Sequence, residues 1–362
     1  MIDRRLLSNI DWILIALLLW NSALGVVFIY SSSHYLPGNF YLRQVIWIVL
    51  SLIALFLFIM VDYKNFLTYS LHLYIVFVFP LAGMLIFGKL VARESWIRFP
   101  FFQIQPSELI KIIMILLLAQ IFSEYKDRYF SWNKLLLSGG AVSLPILLVV
   151  LQPDLGTTLT YVPIILAALI LAGFSRKNFI LLLILALILA LGVWNFFLKE
   201  YQKQRIITLI NPLQDPLGTG YHILQSKIAI GSGGFLGKGY KKGTQSQLRF
   251  LPARHTDFVF SVIGEEFGYA GVIVVFLSYF LLLSRLFRSV DKSRDRAGIY
   301  IIFMVAMMIA FQFFVNVMMV IGLFPVIGIP LPFLSYGGSS LLTNYLAVSL
   351  VLNVKMRRFV NV

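Results

Sequence analysis

Ten stretches of this chain are almost uninterruptedly apolar, at 12–30, 45–61, 71–88, 109–122, 135–151, 155–174, 179–198, 258–284, 298–323 and 335–354. Most approach the roughly 20 residues that a helix needs to cross the hydrocarbon of a bilayer. The pattern predicts an all-α integral membrane protein with ten transmembrane helices, forming a single polytopic domain over 1–362. A more polar stretch, 199–257, is expected to be one long extracytoplasmic loop between helices 7 and 8. No internal repeat is visible, and the first apolar stretch is read as a retained helix rather than a signal peptide.

Composition points to the same solvent. Hydrophobic residues make up 60% of the 362 and charged residues 12%, about half the roughly 25% of soluble domains. Mean hydropathy is +0.89. So few charges cannot cover a water-soluble surface. That excludes an ordinary cytosolic enzyme, a disordered chain and, despite a net charge of +15, a nucleic-acid-binding domain. The lack of cysteine excludes disulfides and thiol nucleophiles.

Charge also orients the chain. An even number of spans puts both termini on one side. The short loops there carry sixteen Lys and Arg, including Arg4, Arg5, Lys126, Arg128, Arg285 and Lys355, against Arg43, Lys89, Arg93 and Arg98 opposite. The positive-inside bias makes the termini cytoplasmic and turns 199–257 outward.

Four places on that outer face concentrate chemistry. In Gln105-Pro106-Ser107-Glu108, Ser107 can cap a helix, while Glu108 and Lys111 are one turn apart. They are either a neutralised pair or part of an anion cavity. In Gln152-Pro153-Asp154-Leu155-Gly156, Asp154 is a helix cap or a rim group. Gly231-Ser232-Gly233-Gly234, with Gly237, Lys238, Gly239, Lys241, Lys242 and Gly243, reads as a phosphate cradle or a flexible lid. It does not match the P-loop pattern. Finally, Arg254-His255-Thr256-Asp257 leads into Ser261, Glu265 and Glu266. Here Asp257 is either a cap paired with Arg254 or a carboxylate with a tuned pKa. Asp257, Ser261 and Glu265 would share one helix face.

Together these motifs, with Asp215-Pro216-Leu217-Gly218, Pro330-Leu331-Pro332 and Ser335-Tyr336-Gly337-Gly338-Ser339, resemble the SEDS family of bacterial cell-wall proteins, most closely its RodA branch. The resemblance covers the whole chain. It implies a peptidoglycan glycosyltransferase for cell elongation and rod shape. Such an enzyme polymerises lipid II into glycan at the outer face of the cytoplasmic (inner) membrane. The family's essential aspartate maps onto Asp257 and its loop tryptophan onto Trp96. Glu108, Lys111 and Asp154 match polar rim positions, and Arg43 with Gln204 and Arg205 resemble lipid-phosphate contacts. His255, Ser335, Gly337 and Gly338 join the substrate-binding set. Ser95 departs from the basic residue often found before the tryptophan, leaving Arg93 or Arg98 to substitute.

The mechanism this suggests makes Asp257 the general base, with Lys111, Arg205, Lys238 and Arg254 stabilising the leaving pyrophosphate and a divalent cation (Mg or Mn) as a candidate cofactor. Expected partners are lipid II, polyprenyl-pyrophosphate-linked glycan, a class B penicillin-binding protein and other elongation-complex membrane proteins, but no nucleic acid. By resemblance the protein partner meets helices 8 and 9, where Met304, Met307 and Met308 offer adaptable packing; the alternative for these is lipid contact. A flippase of the lipid-linked precursor is the rival function, drawing on Glu265, Glu266 and Asn316 within spans. A non-catalytic scaffold that activates a synthase is the third.

Overall fold

The computed structural model describes residues 9–87, 95–98, 103–124, 132–196, 200–210 and 218–358, and these are mostly helical. Arg4, Arg5, Lys89, Arg93, Glu94, Lys126, Arg128 and Asp215 to Leu217 lie outside them. In chain order come α1 (Trp12–Ser33), α2 (Phe40–Met60), the short α3 (Tyr63–Thr68) and α4 (Ser70–Phe87). A two-residue antiparallel ladder, β1 (Ile97–Arg98) with β2 (Gln103–Ile104), leads into α5 (Pro106–Ser123). Then follow α6 (Trp132–Leu151), α7 (Leu155–Leu171) and α8 (Arg176–Phe196). After α9 (Glu200–Ile210), α10 (Thr219–Ser232) and the one-turn α11 (Thr244–Gln247) come α12 (Val259–Val290), α13 (Arg296–Val320) and α14 (Gly338–Arg357).

Each apolar stretch coincides with a helix. By length and composition α1, α2, α5, α12 and α13 can cross a membrane, while α4, α6 and α7 are apolar but shorter. The core is built around α13, which packs on α5, α7, α12 and α14, while α14 also lies along α2. Met304 and Met308 are fully buried there, so neither lipid nor a partner reaches them. Only Met307 is partly exposed.

The expected long loop is largely helical, and its glycines have a different task from the one predicted. Inside α12, Gly268 has φ 59° and ψ −153°, which interrupts the helix. The segment after α10 threads into that break. Lys238 and Gly239 donate backbone N–H to the Glu265 and Glu266 carbonyls, and Tyr269 and Ala270 donate to the Gly234 and Phe235 carbonyls. A helix break in an apolar setting needs its freed polar groups re-satisfied, and these four bonds do so. A Cβ at Gly233 would sit 1.9 Å from the Gly264 carbonyl oxygen, and one at Gly237 2.2 Å from that of Glu266. The glycines allow backbone to meet backbone rather than phosphate.

At the far end of the bundle, Asp11 caps α1 and binds Arg285 of α12 at 2.8 Å and Lys355 of α14. Tyr63 donates to Asp295, and Arg357 pairs with Asp62 at 3.3 Å. Burial of the Asp11 carboxylate raises its pKa, but the hydrogen bonds from Arg285 and Lys355 outweigh this and hold it at about 2. A depressed carboxylate pKa contributes stability above the unfolded value near 4 that disappears as pH falls toward 2. Asp11→Asn should therefore cost about 2 kcal/mol at pH 7, the equivalent of the shift. Thermal melts of wild type and variant in detergent should converge as the solution is acidified.

Candidate active site

At the opposite end from this clasp lies a cavity of about 1010 Å³, lined from α2, the β1–β2 ladder, the first turns of α5 and α7, α9, the turn before α12, α13, and residues 327–340. Two helix starts shape its polar side. At α5, Pro106 occupies the first turn with Gln105 at the cap position. Ser107 is not the cap; its hydroxyl is buried without a partner. The Gln105 backbone N–H donates to Ser339 Oγ at 3.0 Å, and that hydroxyl donates on to the Gln103 carbonyl. At α7, Asp154 does cap the helix, accepting from the Thr157 N–H at 3.0 Å. Its other oxygen takes the Gln105 side-chain amide at 2.6 Å. Asp154 is thus both cap and rim. A Cβ on Gly156 would lie 2.4 Å from the Ile327 carbonyl oxygen, so α7 presses directly on the segment that forms the cavity floor.

Asp257 opens into the same space. It is not a cap, since α12 starts at Val259 with Phe258 at the cap position. Nor does it pair with Arg254, whose guanidinium donates to the Ser246 carbonyl. One Asp257 carboxylate oxygen faces Gly328, whose φ is +77°. Burial disfavours the charged carboxylate and Arg205 favours it, leaving the pKa raised to about 6. Beside it, burial and the neighbouring Arg254 push the His255 imidazole down to about 4, so it is neutral at pH 7. Its ring lies against Phe40, tilted by 38° with centroids 4.6 Å apart.

Of the expected site residues, Asp257, Arg43, Trp96, Glu108, Asp154, Arg205, Gly337 and Gly338 line the cavity. Gly338 is required there, because a Cβ would fall 2.0 Å from the Trp47 indole. The others, His255 among them, are not part of its lining. Lys111 is fully buried behind Glu108, bonded to it at 2.7 Å. Lys238 is bound to Glu265 at 2.9 Å, beneath the glycine segment. Arg254 is spent on Ser246, and Ser335 donates to the Thr256 carbonyl while accepting from the Leu331 N–H. Gln204 is exposed and turns away; Gln202, one turn before Arg205 on α9, takes its place. Asp257, Ser261 and Glu265 do not share a site, since Ser261 bonds Ser226 and Glu265 closes the glycine segment. Trp47 and Gln312, which also line the cavity, escape a reading of the sequence, because nothing marks an apolar-span residue as cavity-facing before the helices are docked.

The cations facing the cavity among the described residues are therefore Arg43 and Arg205, opposite three carboxylates. Glu108 and Asp154 are already committed, and no three acidic or histidine side chains converge among the described residues. The described residues by themselves form no cage of three such ligands for the expected divalent cation. One wall is apolar: Phe40, Ile46, Trp47 and Leu50 line it from α2. Ile46 and Leu50 are 57% and 46% exposed, and the same stripe continues down the outside of α2 through Ile53 and Leu57. The cavity thus joins a buried carboxylate, a pair of guanidinium groups and an apolar stripe along a helix surface.

Comparison with known proteins places this arrangement. The profile of the FtsW/RodA/SpoVE family, described as a cell cycle protein, matches residues 11–359. A probable peptidoglycan glycosyltransferase FtsW of Trichlorobacter lovleyi is 36% identical, covering 96% of this chain and 93% of its own. The peptidoglycan glycosyltransferase RodA of Treponema pallidum is 32% identical over 98% and 99%. A solved structure reported as "Structural coordination of polymerization and crosslinking by a peptidoglycan synthase complex" superposes with a TM-score of 0.81 at 32% identity, covering 97% of this chain and 98% of that one.

Proposed function

The chain belongs to the FtsW/RodA/SpoVE family, and from that premise we propose that it is a peptidoglycan glycosyltransferase polymerising lipid II at the outer face of the bacterial cytoplasmic membrane. The observation that carries this is Asp257 opening into the same cavity as Arg43 and Arg205. In the proposed reaction the Asp257 carboxylate takes the proton of the 4-hydroxyl of a lipid-linked disaccharide. The freed oxygen attacks the anomeric carbon of the growing glycan from the face opposite its lipid diphosphate. As the new bond forms, the bond from the anomeric carbon to the diphosphate oxygen breaks, its electron pair leaves on the diphosphate, and the carbon inverts. Arg43 and Arg205 hold the departing charge in a site partly shielded from water, where fixed cations act most strongly. The prenyl chain lies along the α2 stripe.

The intramembrane polar groups that support a flippase are otherwise occupied. Glu265 and Glu266 hold the 238–247 segment and α1, with Glu266 accepting from Ser31 and Gln247. The far ends of α1, α12 and α14 are tied through Asp11. We propose the elongation branch on its Asp215-Pro216-Leu217-Gly218, Gln152-Pro153-Asp154-Leu155-Gly156 and Ala253-Arg254-His255 stretches. A class B penicillin-binding protein that crosslinks the product is the proposed partner, supported by the synthase-complex relative.

The test is incubation of purified chain, with and without that partner, with lipid II and separation of the glycan by length. Only ionised Asp257 can take the proton, so the rate should rise with pH through about 6 and level off above it. A rate that is flat from pH 5 to pH 8, or absence of polymer, would count against the proposal.

A further inference from the structure

Asn316 sits within α13, fully buried in a mostly apolar helix, one turn after Gln312. Its side-chain nitrogen donates to two backbone carbonyls, that of Asp257 at 3.0 Å and that of Ile329 at 2.8 Å. Carbonyls can only accept, so the group between them must be the NH₂. The amide oxygen is then left buried with no partner. An unsatisfied acceptor in an apolar helix is a standing cost that leucine would avoid. The two donated bonds are what the asparagine gains in return.

Those bonds complete a pattern. The carbonyls of His255, Thr256 and Asp257 are each taken by a donor from elsewhere in the chain: the Tyr336 N–H, the Ser335 hydroxyl and the Asn316 amide. From the other side, the N–H groups of Thr256, Asp257 and Phe258 all converge on the Ala253 carbonyl. Tyr336 and Ser335 fix the turn to the loop before α14. Asn316 alone of the three anchors it to the central α13. Because it also holds Ile329, whose neighbour Gly328 faces the Asp257 carboxylate, it sets the spacing between the acid and the cavity floor.

We propose that Asn316 is a positioning residue for Asp257, fixing the acid's turn and the 327–330 floor in one register so that the carboxylate meets the acceptor hydroxyl. The proposal rests on the general-base reading of Asp257. Aspartate in its place is isosteric but has no donor, and leucine has the bulk without the amide. Either change frees both carbonyls. A displacement of about 1 Å in a reacting group costs on the order of 10²-fold in rate. Asn316→Leu should therefore lower kcat by at least about tenfold, with KM for lipid II nearly unchanged.

Ser226→Ala is the control. Ser226 donates to the Val320 carbonyl at the end of the same helix without touching the Asp257 turn, so it should lower the melting temperature and leave kcat alone. Should Asn316→Leu fail to fold, Asn316→Ser, whose hydroxyl cannot bridge both carbonyls, should show the same loss of kcat.

The chain contains no cysteine, so Asp257→Cys offers an activity-independent readout. Its labelling rate with a small methanethiosulfonate reagent should differ according to whether Asn316 is retained or the Asn316→Leu change is also present. Wild-type kcat in a folded Asn316→Leu variant, or coincident labelling rates, would overturn the positioning role. If Asp257→Asn polymerised as fast as wild type, the general-base reading would fall instead, and the labelling comparison alone would decide whether Asn316 holds the turn.

Discussion

Asp257→Asn is expected to lower the initial rate of glycan polymerisation by about 10²–10⁴-fold, the range that general base catalysis supplies. The amide keeps the size of the carboxylate and can still touch the acceptor hydroxyl, but it cannot take the proton. Substrate capture should survive, because Arg43, Arg205 and the α2 wall that line the cavity are untouched. Folding should also survive. The backbone around residue 257 is held by Ala253, Ser335 and Tyr336 through main-chain groups that the substitution leaves in place. The measurement is product length and initial rate on gels, alongside retention of fluorescent lipid II by the purified variant. Polymerisation within a few-fold of wild type would remove Asp257 from the chemistry.

The second large effect concerns folding. Gly268→Ala should leave little protein that survives extraction as a monodisperse species. At φ 59° and ψ −153° the backbone occupies a region that is essentially glycine-only, costing about 1–3 kcal/mol for any other residue. The added methyl would also sit 2.5 Å from the Gly237 nitrogen and 2.7 Å from the Gly234 oxygen, both backbone atoms that cannot swing aside. Overpacking of this kind adds about 1–3 kcal/mol more. Losing the inserted segment would also expose the Glu265 carboxylate, now bound by Lys238 and the Gln245 and Ser246 N–H groups. Size-exclusion profiles and melting curves of the variant would show the loss. A monodisperse variant with the wild-type melting temperature would mean that the break in α12 is not held in this conformation.

These two residues mark what the sequence can and cannot disclose. Long apolar runs have one physical solution in lipid, a helix, so element positions are readable before any contact is known. Asp257 stands out for a similar reason: an acid at the edge of an apolar run is costly unless used. The glycine segment is ambiguous in principle. A glycine allows close approach by a phosphate or by another backbone, and only docking against α12 shows that Gly233 and Gly237 serve the second. The lysines mislead for a related reason. Charge is visible in a sequence but direction is not, and Lys111 and Lys238 each have an acid nearer than the cavity. Gln204 and Gln202 differ only in the phase of α9, which a short polar stretch does not reveal. Met304 and Met308 suggest an outer packing surface, yet α13 is central and encloses them.

On the proposed function, the exposed stripe of Ile46, Leu50, Ile53 and Leu57 gives the cavity a side door. A hydrocarbon-anchored reactant can enter by diffusing in the plane of one leaflet, never leaving it, so encounter is a two-dimensional search. The quantity that governs supply is then molecules per unit of leaflet area, not moles per litre. Diluting the bilayer with inert phospholipid would slow such a catalyst even when the total amount of reactant in the tube is unchanged.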